Sequence, residues 1–208
     1  MSKFKDMSDD YLKRNYVPDV YQPSIHAIDY EKLKAHGIKA ISFDIDDTIA
    51  ALTDHNPPKS TITKFEDLKK MGFDLILITN AGDGRGERFA DALGVPYIAS
   101  AEKPSTAHFE KILDRFGLEK SQMAHVGNSM TRDVAGGNAF GVTTCLVRNV
   151  GKAAVGGNKI QKVLGGTEGQ QIKEEMKERN IWRKHHKYEK GDQYYQLGEM
   201  PKYLSGKK

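Results

Sequence analysis

From Ile38 onward the chain repeats one pattern five times: a short apolar run rich in β-branched residues, then a stretch with helical spacing. Strands and helices alternate in this way where a parallel sheet is covered by helices on both faces, because each parallel pair needs a crossover connection. The runs read as strands at 39–43, 74–78, 95–98, 123–126 and 143–147. Between them, Ile62, Phe65 and Leu68 share a helical face, with Thr63 and Glu66 spaced as a capping box and Gly72 as a stop. Phe109, Ile112, Leu113 and Phe116 repeat that period, and Gly117 ends it. The expected fold is α/β, a Rossmann-like three-layer domain around a central five-stranded parallel sheet.

A chain of 208 residues with 38% apolar content supports one main core over 38–150 with extra segments at each end. The lead-in, 1–37, reads as turns and a short helix, with Val20, Ile25, Ile28 and Leu33 as its apolar positions. Its first residues mix Lys, Asp and Ser without an apolar run, which predicts neither a secretion leader nor a membrane span, and a cytoplasmic location. The single cysteine, Cys145, lies in an apolar strand and reads as a core residue.

The extension, 151–208, holds 13 basic against 7 acidic residues, whereas the rest of the chain is slightly acidic. A basic tail on a near-neutral body suits an anionic membrane surface or nucleic acid, but its composition favours a solvated, partly disordered segment. Residues 151–169 have a Gly- and Lys-rich linker composition, and 170–182 form a helix candidate whose apolar positions, Ile172, Met176 and Ile181, are sparse. Trp182, Tyr188, Tyr194 and Tyr195 are placed either to stack on bases or to dock on the parent domain, and Arg183, Lys184 and Lys187 to meet a lipid surface.

In an open parallel sheet, chemistry belongs on the loops past the carboxyl ends of the strands. The first strand runs directly into Asp44-Ile45-Asp46-Asp47-Thr48, placing two carboxylates on the same side of an extended segment. One can attack phosphorus while the other handles the leaving-group proton, with a divalent cation offsetting the charge. The second strand ends at Thr79-Asn80, a hydroxyl and backbone N–H suited to a phosphate oxygen. Lys103-Pro104 follows the third, with proline at a helix start presenting a lysine to neutralise phosphate and Asp44. After the fourth, Asn128 and Asp133 offer oxygens to a hard cation such as Mg²⁺, while His125, inside the strand, reads as a core histidine. Gly136-Gly137-Asn138 reads as a close-packing device.

Taken in order, these four motifs resemble those of the haloacid dehalogenase superfamily of phosphohydrolases, of the capless type. The resemblance implies an Mg²⁺-dependent phosphomonoester hydrolase with Asp44 as nucleophile and Asp46 as acid/base. It implies Asp44, Asp46 (through its backbone carbonyl), Asn128 and Asp133 as metal ligands. It also implies Thr48 as a support of the loop, and a phosphate-binding set of Thr48, Thr79, Asn80 and Lys103. Asn128 departs from the pattern, standing where the superfamily usually has aspartate. The lead-in from Tyr16 to Lys39, Ala92 to Pro96, and Asp133 to Asn138 most resemble the branch that contains the mitochondrial phosphatidylglycerophosphate phosphatase, which implies a lipid phosphate substrate.

The stretches from Thr48 to Thr79 and from Asn80 to Lys103 are each nearly used up by one helix and one strand, so no cap domain fits and the site should be open. An open site suits a phosphate attached to something large, such as a membrane, a protein or a nucleic acid. The alternatives are a phosphatase of nucleic-acid, nucleotide or protein phosphates and a non-catalytic phosphate-binding protein.

Overall fold

A computed structural model of the protein describes residues 4–150, 167–179, 181–182 and 194–200. The elements are α1 (Asp9–Tyr16), β1 (Val20–Gln22), α2 (Tyr30–Ala35), β2 (Ala40–Asp44), α3 (Lys59–Lys70), β3 (Asp74–Ile78), α4 (Asp83–Leu93), β4 (Tyr97–Ile98), α5 (Ala107–Phe116), β5 (Met123–Gly127), α6 (Ala135–Phe140), β6 (Thr143–Val147) and α7 (Thr167–Glu178). The strands form one parallel sheet in the order β1-β6-β5-β2-β3-β4. It has six strands rather than five, because the lead-in adds β1 alongside β6.

Alternation along the strands sorts the side chains to two faces. Ile41 and Phe43 of β2, Leu75 and Leu77 of β3, and Ala124 and Val126 of β5 pack with Phe65, Leu68, Phe89 and Leu93 of α3 and α4. On the other face Ile76 and Ile78 meet Phe109 and Ile112 of α5 and Phe140 of α6. Val20, Ile25, Ile28 and Leu33 of the lead-in belong to the first of these clusters, so the lead-in is built into the main core. Helix α3 starts at Lys59 behind Pro58, which leaves Thr63 inside the helix and not at its cap. Helix α5 ends as expected at Gly117, whose left-handed conformation (φ 64°) suits glycine.

The described parts of the extension dock. Ile172, Met176, Ile181, Trp182 and Tyr195 form a cluster with Phe4, Leu12, Val17 and Tyr21 of the lead-in and Met130, Val134 and Leu146 of the body. Tyr195 exchanges backbone hydrogen bonds with Tyr21 at 2.9 Å each, covering the exposed edge of β1. Its hydroxyl donates to the Pro18 carbonyl at 2.8 Å. Arg179 donates to the carbonyls of Phe4, Lys5 and Met7. Trp182, Tyr194 and Tyr195 therefore face the parent domain and not a base stack. Helix α7 begins at Thr167, inside the stretch of linker composition, and Arg183, Lys184, Lys187 and Tyr188 lie outside the described residues.

Trp182 is buried edge-on against Tyr21, ring centroids 5.4 Å apart. Trp182→Ala should cost about 3–5 kcal/mol of stability, as large-to-small changes of buried aromatics do. Urea unfolding of the full chain checks this, and an unchanged midpoint would mean that the extension does not hold the fold together.

Candidate active site

The sheet order reverses between β2 and β5, where the chain of connections leaves in opposite directions and opens a crevice at the strand ends. Asp44 ends β2 and Gly127 ends β5 at this crevice. Asp44 is buried; its Oδ2 accepts the Thr48 hydroxyl at 2.9 Å, and its Oδ1 accepts the Lys103 ammonium. Lys103 Nζ also donates to Asp133 Oδ1 at 2.7 Å. One buried ammonium thus bridges carboxylates delivered by two different strand ends.

The bridge is braced from all sides. Asn80 Oδ1 accepts the Lys103 backbone N–H at 2.8 Å, and its Nδ2 donates to the Lys103 carbonyl at 3.3 Å, so the side chain of Asn80 fixes the lysine. Asp133 Oδ2 accepts the Ser129 N–H at 3.0 Å. His125 Nε2 lies 3.2 Å from Asp133 Oδ1, and its Nδ1 lies 2.9 Å from Ser42 Oγ. Ser42 and His125 are register partners on adjacent strands, which brings them together on one face. His125 is a core histidine, as its position predicts, but it reaches the site by holding Asp133. A Cβ at Gly127 would come within 2.2 Å of the Asp133 carboxyl carbon, so only glycine lets that carboxylate fold back on the strand end.

Three non-glycine residues among those described have left-handed backbones, Asp47 (φ 58°), Ser100 (φ 50°) and Glu102 (φ 53°). All three lie in loops at this end of the sheet, where such conformations usually serve function. Pro104 does not open the helix as expected; α5 begins at Ala107. Thr79 is buried, and its Oγ1 accepts the Ala81 N–H at 3.0 Å, leaving the hydroxyl proton to be donated.

Burial pushes the Asp44 carboxyl above its ordinary value, and the Lys103 charge only partly offsets it. Burial acts the same way on Asp133, but there the charge of Lys103 and the hydrogen bond from His125 prevail and hold the carboxyl well below the usual carboxylate range. Burial would lower Lys103, yet Asp133 and Asp44 together raise it, so it is an ammonium. One positive charge facing two carboxylates leaves the pocket short of a cation.

The residues present fit a hard cation. The Asn128 side-chain oxygen is a buried acceptor without a hydrogen-bond partner among the described residues, while its Nδ2 donates to Asn149 Oδ1 at 3.1 Å. Among the described residues no three His, Cys, Asp or Glu side chains gather around one point. A metal there would take an amide and a backbone carbonyl beside the carboxylates, all of them oxygen donors of the kind Mg²⁺ accepts. The side chain of Asp46 is engaged elsewhere: its Oδ1 accepts Arg85 Nε at 2.7 Å.

No cap is inserted among the described residues. A flap and α3 lie between Thr48 and β3, and only α4 and β4 intervene between Asn80 and Lys103.

The family model for haloacid dehalogenase-like hydrolases matches residues 30–141, which span these strand ends and the crevice between them. The chain belongs to the haloacid dehalogenase-like hydrolases. The Bacillus subtilis protein named probable phosphatase YqeG is 32% identical over 136 residues, covering 65% of this chain and 79% of that protein. The chloroplastic phosphatidylglycerophosphate phosphatase 1 of Chlamydomonas reinhardtii is 28% identical over 141 residues, covering 64% of this chain and 52% of that protein. The chloroplastic/mitochondrial phosphatidylglycerophosphate phosphatase 1 of Arabidopsis thaliana is 24% identical over 148 residues, covering 66% and 42%. The chain thus spans about half the length of these last two relatives. As a haloacid dehalogenase-like hydrolase whose curated relatives are phosphatases, it is a phosphatase. No helix among the described residues is long and apolar enough to cross a membrane.

Two residues of this haloacid dehalogenase-like site went unmarked in the sequence. Arg85 sits in the first turn of α4, beyond the Thr79-Asn80 strand end, and Ser42 sits inside an apolar strand. Only the register of β2 against β5 would have paired Ser42 with His125.

Proposed function

We propose that the protein is an Mg²⁺-dependent phosphomonoester hydrolase that forms an aspartyl-phosphate on Asp44. The observation that carries this reading is the Lys103 ammonium held between Asp44 and Asp133 at the crevice, a charge placed to receive a phosphate against an otherwise anionic nucleophile. Lys103, Thr79 and the backbone N–H groups after β2 and β3 would hold the phosphate oxygens. Asn80 would serve by fixing Lys103, and Thr48 by orienting the Asp44 carboxylate.

A carboxylate oxygen of Asp44 attacks phosphorus in line with the leaving oxygen. The bond from phosphorus to that oxygen breaks, and the oxygen takes the proton of the Asp46 carboxyl, giving the alcohol and an aspartyl-phosphate. Asp46, now a carboxylate, takes a proton from a water that attacks the same phosphorus. The bond to Asp44 breaks, releasing inorganic phosphate and restoring both residues. The Asp44 carboxylate, the Asp46 backbone carbonyl, Asn128 and Asp133 would hold Mg²⁺, which when bound neutralises charge on the phosphoryl group and on Asp44.

Chelator should abolish turnover and Mg²⁺ restore it. Asn128→Asp, which adds a charge to the ligand set, should lower the Mg²⁺ concentration for half-maximal activity by roughly tenfold. A midpoint that rises or stays put would remove Asn128 from the metal site.

For substrate, we propose a lipid phosphate of the phosphatidylglycerophosphate kind. Two of the curated relatives bear that name, and the uncapped crevice admits a phosphate still embedded in a bilayer. The assay is release of phosphate from phosphatidylglycerophosphate in mixed micelles beside nucleotide, sugar and phosphoprotein substrates. Preference for any of the latter would move the assignment to that class.

A further inference from the structure

Arg85 is a cation at the crevice that bonds neither Asp44 nor Asp133 among the described residues. It projects from the first turn of α4, with the guanidinium carbon 4.6 Å from the centroid of the Phe89 ring, itself in the main core. Three of its donors point to one loop. Nε donates to Asp46 Oδ1 at 2.7 Å, Nη2 to the Ala51 carbonyl at 3.0 Å, and Nη1 to the Asp54 carbonyl. The loop is closed on itself as well, with Ala51 N–H on Asp54 Oδ2 and Asp54 N–H on the Ala51 carbonyl, each at 2.9 Å. Gly86, next in the helix, has no room for a Cβ, which would meet the Tyr97 ring at 2.8 Å. The start of α4 is therefore seated against the sheet, and Arg85 reaches the loop from a fixed base.

We infer that Arg85 is a positioning residue for proton transfer by Asp46. This rests on the reading of Asp46 as the acid/base. An aspartate on an open loop samples several rotamers, whereas proton transfer needs its oxygen within hydrogen-bond reach of the leaving oxygen. The arginine fork removes that freedom by fixing one carboxyl oxygen and the backbone of the flap at once. Oδ1 accepts Nε–H in both protonation states, because in the neutral acid it is the carbonyl oxygen. Oδ2, which has no partner among the described residues, is left to carry the proton to the leaving oxygen and later to accept one from water. The ion pairs at the crevice are thereby divided: Lys103 pairs with Asp44 and Asp133, and Arg85 pairs with Asp46.

The test compares kcat/KM, which reports phosphoryl transfer to Asp44, for two soluble substrates. The alkoxide of glycerol 3-phosphate needs a proton as it leaves, and the nitrophenolate of p-nitrophenyl phosphate hardly does. Arg85→Met keeps the stem over Phe89 and removes the fork. It should lower kcat/KM for glycerol 3-phosphate about 100-fold and for p-nitrophenyl phosphate less than about fivefold. Arg85→Lys, which keeps a charge but not the fork, should show the same selectivity to a smaller degree, and it carries the comparison if Arg85→Met does not fold. Equal losses on both substrates, or a fully active Arg85→Lys, would overturn the inference. Asp46→Asn separates the two levels of the account. A selective loss there with none at Arg85 removes the positioning role alone, and an unselective loss at Asp46 removes the reading on which it rests.

Discussion

Asp44→Asn should leave a folded protein whose turnover of p-nitrophenyl phosphate, in saturating Mg²⁺, falls by about four orders of magnitude or more, as loss of a covalent nucleophile does elsewhere. The amide keeps the size of the side chain; its oxygen can accept the Lys103 ammonium while its NH2 faces the Thr48 hydroxyl, which can turn to accept. The amide cannot form an acyl-phosphate. Circular dichroism and thermal melting establish the fold, and steady-state kinetics read the loss. Turnover within about tenfold of the parent would mean that Asp44 only binds, since such a nucleophile is worth far more.

Lys103→Met is expected to destabilise the fold strongly. It removes the one ammonium between two buried carboxylates, and breaking a buried ion pair in this way costs about 3–5 kcal/mol. The cost has a pH signature. In the parent the Asp133 carboxyl titrates well below the usual range, so its stabilisation is present above the unfolded pKa and is lost as pH falls. Without Lys103 only His125 still lowers the Asp133 carboxyl, and burial shifts both carboxylates toward protonation. The stability gap between parent and variant, measured by urea unfolding in chelator, should therefore be widest near neutrality and narrow toward pH 4. A gap independent of pH would indicate lost packing of the lysine stem and not lost charge.

Much of this was legible in the sequence where local pattern and burial coincide. The apolar run into Asp44 became the central strand because both of its faces are covered, and the residues expected to act together at Asp44, Lys103 and Asp133 do meet. The missed strand, β1, has only three residues between Pro18 and Pro23, and its partners, Leu146 and Tyr195, are remote in sequence. Thr63 and Glu66 have the spacing of a cap, but Pro58 starts the helix one turn earlier. The stripe on α7 is sparse because it covers a small surface; Ile172 and Met176 suffice, with Ile181 and Trp182 completing the contact beyond the helix. Arg85 carries no periodic or strand-end signal, since its role comes from the flap folding back over α4.

The most direct measurement is of the covalent intermediate. Full-length protein mixed with substrate and Mg²⁺, quenched in acid within the first turnovers and digested, should yield a phosphoryl adduct on the peptide containing Asp44. The adduct should be labile to hydroxylamine, absent from Asp44→Asn, and formed at least as fast as the steady-state rate. A phosphoryl group on any other residue, or turnover at the full rate with no adduct at Asp44, would contradict the account.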